Sequence, residues 1–257
     1  MNRDEKLNRS TALAPTIVDL ESRRVVYPSE PAGGTWISTS DAGVCLALIN
    51  WHRVEREPKH DVLSRGEVVS ALAGKSSTNE IADGIGRLPL RKLRPFRLIT
   101  IVPSERLVTE WRWNLEWLTR RDHKWRSLHW FSSGFDERRA ELERAKVCAS
   151  FLAGGDVVAG DGLSDVALAK ADDPGRESAR AGVNAAGYSL NWLRQLHRSH
   201  SPKRGPFSIC MHRRDASTVS YTEVAVSKKR ATMRYKSGPC CSKGAIVTKT
   251  ISLARPL

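Results

Sequence analysis

The sequence predicts an α+β protein in which antiparallel sheets are covered by helices. Hairpin patterns occupy the first half of the chain, two amphipathic helical segments follow, and a further hairpin pattern lies near the C-terminal end. A length of 257 residues fits one domain, 1–257, that carries an insertion.

The first predicted elements are a hairpin and a short helix. Residues 35–39 predict one strand, and the apolar run 44–49 predicts a second strand that is buried on both faces. Ser64 precedes Glu67 by three residues. This capping-box spacing predicts a helix over 65–73.

A second hairpin and the helical segments follow. Residues 98–102 and 107–113 have the hairpin pattern, and residues 126–131 are predicted as a further strand. Residues 136–152 and 188–198 place apolar side chains on one helical face and predict amphipathic helices.

The remaining chain predicts one insertion and the last strands. Residues 154–187 are rich in Gly, Ala, Asp and Ser, which favours a flexible insertion with a helical turn near 164–170. Strands are predicted at 207–212, 219–226 and 231–235, the last two as a hairpin.

The composition excludes some classes of protein. The chain is 40% hydrophobic and 27% charged, which rules out disordered and fibrous chains. Its apolar runs are too short for a membrane-spanning helix, and its first residues resemble no secretory signal, so a cytoplasmic protein is expected. The net charge of +14 would attract nucleic acid or other anions without a specific site.

The five cysteines include no CxxC pair, so a disulfide framework is not expected. Cys45, Cys148 and Cys210 lie in apolar segments and are assigned to packing. Cys240 and Cys241 follow Gly238 and Pro239 and are interpreted as part of a plain loop.

Three histidines raise the question of a metal or haem site. His197, His200 and His212, together with Cys210, carry suitable ligand atoms. The first two are flanked by Arg, Ser and Lys residues, which favours a solvated basic loop. No metal and no cofactor are therefore predicted.

A nucleic-acid interface is the second alternative. Five tryptophans between 111 and 130 are interleaved with basic residues such as Arg120 and Arg121. The alternation at Trp111 and Trp113 is also that of a half-buried strand, which is the preferred interpretation, and nucleic acid is not the expected partner.

Four sequence blocks resemble the NRDE family, whose members are transport and Golgi organisation protein 2-like. They are Asn2-Arg3-Asp4-Glu5, the Gly33-Gly34-Thr35-Trp36 block, Ser64-Arg65-Gly66-Glu67, and a C-terminal segment that includes His197–His200 and Arg204–His212. The resemblance implies an αββα sandwich like that of the N-terminal-nucleophile (Ntn) hydrolases. In that fold a first strand precedes the NRDE block, and this chain begins without it.

The resemblance extends to the choloylglycine hydrolases and implies site residues. By that comparison Asp4 lies beside the nucleophile and Asn50 donates to an oxyanion. These two residues are the catalytic candidates. Asn2, Arg3, Trp36 and Ser133 are candidates for binding a small-molecule ligand, although Arg3 with Glu5 also fits a structural ion pair and Trp36 also fits the core.

The chemistry of these amidases uses an N-terminal cysteine and its own α-amine. Met1 directly precedes Asn2, so the chain as written is not expected to hydrolyse C–N bonds. Three alternatives remain open: an active amide hydrolase whose true start supplies an N-terminal cysteine, a haem or other small-ligand carrier as suggested for animal relatives, and a basic nucleic-acid-associated protein.

Overall fold

The computed structural model describes residues 1–154, 190–255 and 257. Within these ranges the strands are β1 (Asn2–Lys6), β2 (Leu13–Asp19), β3 (Arg24–Ser29), β4 (Ile37–Ser40), β5 (Cys45–Asn50), β6 (Phe96–Val102), β7 (Leu107–Trp113), β8 (Leu118–His123), β9 (Ala216–Val226), β10 (Arg230–Ser237) and β11 (Ile246–Ser252). The α-helices are α1 (Gly66–Leu72), α2 (Thr78–Gly86), α3 (Glu137–Gly154) and α4 (Leu190–Arg198). These elements confirm the α+β class.

The larger sheet is an antiparallel meander in the order β2-β3-β4-β5-β6-β7-β8. One of its faces packs against α1 and α2 around a core that includes Leu46, Leu98 and Phe96. In β5 only Leu46 and Leu48 are buried, while the other residues of the strand are partly exposed. The prediction that this strand is buried on both faces was therefore wrong, because the helices that share its core cover one face.

The smaller sheet has the order β1-β9-β10-β11. Strand β1 pairs antiparallel with β9, with Asn2 opposite Tyr221 and a bulge between Arg3 and Asp4. The first residues of the chain therefore form an edge strand, which the sequence analysis did not predict.

The chain divides into two compact units. The first unit contains residues 1–9, 125–228 and 235–246, and the second contains 10–124, 229–234 and 247–257. In the first unit α3 and α4 share a small core formed by Val147, Cys148, Leu196 and Ile209.

Two predicted strands are not strands in the structure. Residues 126–131 are irregular. The strand that follows β7 and pairs with it is instead β8, with Arg121 opposite Glu110. The charged sequence of β8 gives little apolar alternation, which hides it from periodicity arguments. Residues 207–212 form turns in which Ser208 Oγ donates to the Gly205 carbonyl at 2.9 Å, and His212 makes an isolated bridge with Ser217.

The predicted helix start at Ser64 is correct in place but differs in detail. Ser64 Oγ accepts a hydrogen bond from the Gly66 N–H at 3.2 Å, while the Glu67 N–H bonds to the Ser64 carbonyl. The insertion predicted at 154–187, with its helical turn, lies almost entirely outside the described residues; its first residue, Gly154, ends α3.

Two of the sequence blocks meet in the second unit, backbone against backbone. The Thr35 N–H donates to the Gly66 carbonyl at 3.2 Å, and Gly34 has a φ of +79°. A Cβ at Gly66 would lie 2.9 Å from the Thr35 nitrogen, closer than real Cβ contacts. Glycine is therefore required where the Gly34 turn and the start of α1 touch.

We expect Gly66→Ala to lower the free energy of unfolding by about 1–3 kcal/mol, because the added methyl group forces two backbone segments apart. Gly86→Ala is the matched control, since a Cβ there meets nothing within 4 Å. The control is expected to change stability by less than about 1 kcal/mol. Urea titration followed by tryptophan fluorescence measures both, and equal effects would contradict the close-approach explanation.

Candidate functional site

Asp4 lies on β1, where its carboxylate is held on both oxygens. Arg144 Nη2 donates to Oδ2 at 3.1 Å, and Thr218 Oγ1 donates to Oδ1 at 2.7 Å. The Asp4 side chain is 21% exposed and that of Arg144 is 7% exposed. The carboxylate is therefore fixed in position, with lone pairs left for a further donor.

Arg144 on α3 connects this carboxylate to two loops. Its guanidinium also donates to the carbonyls of Ser208 and Ser132, both at 3.1 Å. A planar fork with five N–H groups can serve several acceptors in this way. The amphipathic pattern of residues 136–152 did not identify Arg144 as a buried residue. The missed signal is spacing, because Arg144 lies four residues from Ala140 and from Cys148, both of which are buried.

Asn2, a ligand-binding candidate, makes contacts within the first unit. Its amide nitrogen donates to the carbonyls of Ile209 at 2.8 Å and His197 at 3.0 Å, and its amide oxygen lies 3.1 Å from His197 Nδ1. Burial holds the pKa of His197 well below its usual value, so the ring is neutral at pH 7. Asn2 therefore joins β1 to the end of α4.

Arg3 and Ser133 are the other ligand-binding candidates in the first unit. Arg3 is buried and forms an ion pair with Glu5 at 3.2 Å, which is the structural alternative weighed from the sequence. Ser133 Oγ accepts a hydrogen bond from the Phe135 N–H at 3.3 Å in the loop before α3.

Trp36 and Asn50 belong to the second unit. Trp36 is buried, with 7% of its surface exposed. Asn50 ends β5, opposite Phe96 on β6, and is partly exposed. Its place at the strand end agrees with the position predicted from the sequence.

A buried charge pair that the sequence analysis did not identify lies beside β9. Arg194 on α4 donates to both carboxylate oxygens of Glu223, at 2.7 and 2.8 Å. Tyr221 donates to Glu223 Oε2 at 3.0 Å, and burial raises the pKa of Tyr221. These three hydrogen bonds hold the Glu223 carboxylate in position.

Two of the three histidines lie beside two cysteines. His200, Cys210, His212 and Cys241 place one ligand atom each within 4.8 Å of one another, which makes them the residues that could hold a metal. His197 lies elsewhere, against Tyr221. The sequence analysis assigned His200 to a basic loop and Cys241 to a plain loop, and it did not predict that the two lie together, because chain folding brings together residues far apart in sequence.

The remaining thiols occupy different surroundings. Burial raises the pKa of Cys45 to about 11 and that of Cys148 to about 11, so both are protonated at pH 7. Cys240 Sγ donates to the His197 carbonyl at 2.6 Å. Cys45 and Cys148 are therefore suited to packing rather than to nucleophilic attack. Cys240 differs, because it packs against Cys210 and a hydrogen bond from the Cys210 thiol lowers its pKa.

The tryptophans near 111–123 differ in exposure. Trp111 and Trp113 are buried, as a half-buried strand requires, whereas Trp117 is 65% exposed. Arg120 pairs with Asp122 at 2.9 Å and lies 5.4 Å above the Trp111 ring.

None of the helices among the described residues is long and apolar enough to cross a membrane.

Comparison with solved structures gives two neighbours that each cover most of this chain. A mutant of conjugated bile acid hydrolase from Clostridium perfringens is 11% identical, covers 98% of this chain and 87% of its own, and has a TM-score of 0.49. Penicillin V acylase from Agrobacterium tumefaciens is 12% identical, and the match covers 95% of this chain and 80% of the acylase. Its TM-score is 0.48.

The sequence comparisons are more decisive. No curated protein matches the chain significantly. The profile of the family described as Transport and Golgi organisation 2 matches residues 1–146, which is more than half of the chain and includes the first three sequence blocks. The protein therefore belongs to the Transport and Golgi organisation 2 family, as the NRDE resemblance implied.

Proposed function

We propose that this chain binds a small polar ligand through Asp4, in the first unit. The observation that carries the proposal is the anchored carboxylate of Asp4, held by Arg144 at 3.1 Å and by Thr218 at 2.7 Å. A charged group kept partly exposed and in one orientation is suited to bind a donor group of a ligand, because little side-chain entropy remains to be lost.

Asn50, in the second unit, is a separate candidate for ligand binding. Strand ends next to loops are common positions for binding groups. A side-chain amide offers both a donor and an acceptor, so it suits a ligand with a carbonyl or a carboxylate. The family resemblance implies the same residue.

Hydrolysis is a separate step, which needs an activated nucleophile. The internal thiol of Cys45 is protonated at pH 7, because burial raises its pKa to about 11. We therefore propose binding without turnover for this polypeptide.

We expect Asp4→Asn to weaken a bound ligand by about 1–3 kcal/mol, because a donor group of the ligand loses its charged partner. The probes are a panel of N-acyl amino acids and amidated bile acids, chosen because the family resemblance implies amide-containing ligands. Thermal shift detects binding, calorimetry measures it, and chromatography tests for hydrolysis products.

The control is the double variant Arg120→Ala, Arg121→Ala, which alters basic residues on β8. It should leave ligand affinity unchanged. A panel without any binder would contradict the proposal, and product formation would favour the hydrolase instead. A different result would favour a nucleic-acid partner over a small ligand. In that case only the arginine variant would weaken the binding of RNA or DNA, and it would also reduce the salt dependence of that binding.

A further inference from the structure

We propose that His200, Cys210, His212 and Cys241 bind one zinc ion in a closed tetrahedral site of the first unit. The four residues come from three segments: the turn after α4, the turns at 205–212 and the loop after β10. Two imidazole nitrogens and two thiolate sulfurs form one of the common ligand sets of structural zinc.

The separations between ligand atoms fit this geometry. His200 Nε2 lies 3.2 Å from His212 Nε2, and that nitrogen lies 3.4 Å from Cys241 Sγ and 3.6 Å from Cys210 Sγ. Tetrahedral zinc bonds to nitrogen at about 2.0–2.1 Å and to sulfur at about 2.3 Å, which places nitrogens about 3.3 Å apart and nitrogen about 3.6 Å from sulfur. These three of the six separations lie within about 0.2 Å of their tetrahedral values, and all six lie within 4.8 Å.

Hydrogen bonding alone does not explain this convergence. Three atoms approach the single nitrogen His212 Nε2, namely His200 Nε2, Cys210 Sγ and Cys241 Sγ. In a neutral imidazole that nitrogen carries either one proton or one lone pair, so it can form a hydrogen bond with one of these three atoms. A cation at the centre of the cluster accepts a lone pair from all four ligand atoms.

The ligand set favours zinc over haem. Haem iron is already bound by four porphyrin nitrogens, so protein ligands bind on opposite sides of the iron. Here the two imidazole nitrogens lie side by side at 3.2 Å, with two sulfurs next to them. Four protein ligands leave no open position, which is typical of a structural rather than a catalytic zinc.

Hydrogen bonds of the surrounding backbone position the ligands. The Cys210 N–H donates to the Ser199 carbonyl at 3.0 Å, next to His200. The His212 N–H donates to the Gly205 carbonyl at 3.2 Å. A site whose backbone is held independently of the metal loses less chain entropy when the ion binds.

The loop that carries Cys241 is also fixed. Gly238 has a φ of +84°, and its N–H donates to the Val219 carbonyl at 2.8 Å. Lys236 is buried and its ammonium donates to the Pro239 carbonyl at 2.7 Å. Cys241 itself is exposed, so replacing it removes a ligand without opening a cavity.

One neighbouring contact opposes metal binding. Arg204 Nη2 lies 3.4 Å from His212 Nδ1, a nitrogen that carries a proton when zinc occupies Nε2. This distance exceeds an ordinary hydrogen bond, and Arg204 is exposed and able to turn away. Arg204→Gln should therefore bind zinc at least as tightly as the native chain.

The test is the zinc content of the purified full chain after loading with zinc sulfate under reducing conditions and dialysis. We expect one zinc ion per chain by mass spectrometry of the metal. Cys241→Ser and His200→Gln should each lower the affinity for zinc at least about tenfold, measured by competition with a chromogenic chelator. Circular dichroism checks that each variant is folded.

Two cysteine variants serve as controls. Cys45→Ser lies in the second unit, and Cys148→Ser lies in the first unit but outside the cluster. Both should keep the full zinc content. Cobalt substitution adds a readout of the ligands, because only thiolate ligation gives a sulfur-to-cobalt charge-transfer band, which should weaken in Cys241→Ser and not in Cys45→Ser.

Three results would overturn the site. The first is native protein that holds no zinc after loading. The second is an equal loss of zinc in Cys241→Ser and Cys45→Ser. The third is a Cys210–Cys241 disulfide formed in the presence of zinc, detected as a mass lower by two hydrogens.

Discussion

Arg144→Met is expected to lower the free energy of unfolding by about 2–4 kcal/mol, because it removes the buried partner of a partly buried ion pair together with hydrogen bonds to buried carbonyls. The side chain of Arg144 donates to Asp4 Oδ2 and to the carbonyls of Ser208 and Ser132. Methionine has similar length but no donors, so the variant leaves a carboxylate and two carbonyls without this partner. Urea titration at pH 7 measures the loss.

Arg138→Met is the matched control on the same helix, since Arg138 is exposed. It should change stability by less than about 0.5 kcal/mol. The pairing with Asp4 is isolated by a double-mutant cycle, in which Arg144→Met costs less in an Asp4→Asn background. Equal costs in both backgrounds would show that Asp4 is not coupled to Arg144.

A comparable loss, about 3–5 kcal/mol at pH 7, is expected for Glu110→Gln in the second unit. Glu110 is 1% exposed, and its carboxylate accepts hydrogen bonds from Arg97 at 2.7 Å and Arg112 at 2.8 Å. Glutamine keeps the shape but removes the charge, which leaves the buried Arg97 without its counter-ion.

The pH dependence of this effect has a definite sign. Burial alone would raise the pKa of Glu110, but hydrogen bonds from Arg112 and Arg97 outweigh it and hold the pKa below the usual value of 4.5. The stabilisation is therefore complete above about pH 4.5 and is lost as the pH falls through the lower, folded-state value. The stability difference between native protein and Glu110→Gln should shrink over that range.

Glu57→Gln tests whether any lost glutamate charge has this effect. Glu57 pairs with Arg94 at the surface, with 67% and 49% of the two side chains exposed. Such a pair contributes about 0–1 kcal/mol. A loss for Glu57→Gln as large as that for Glu110→Gln would show that the effect reflects net charge rather than the buried network.

Local patterns predicted those elements whose hydrophobic period is strong. The hairpins β4–β5 and β6–β7, the helices α1, α3 and α4 and the hairpin β9–β10 follow from period and turn residues. Strand β2 escaped prediction because Pro15 and mostly exposed side chains conceal it, and proline is tolerated there since β2 is an edge strand. Strand β8 escaped because its residues are mostly charged.

The candidate site was only partly predictable. Asp4 follows from the family resemblance, and its place beside Arg144 does not, because 140 residues separate the pair. The His and Cys cluster joins residues from 200 to 241 through loops that no short-range pattern specifies. The glycine-rich block and the α1 start are recognisable as sequence motifs, whereas their contact through Gly34 and Gly66 is visible only in the fold.

The two sheets differ in when their strands become available during synthesis. Strands β2 to β8 pair only with sequence neighbours, so each pairing can form as soon as the next hairpin has emerged from the ribosome. Strand β1 must wait for β9, and its Asp4 meets Thr218 across 214 residues. Closing a loop of that length costs about 3 kcal/mol more than closing one of ten residues. The anchored carboxylate is thus assembled late, and until then β1 is an unpaired edge that a chaperone could cover.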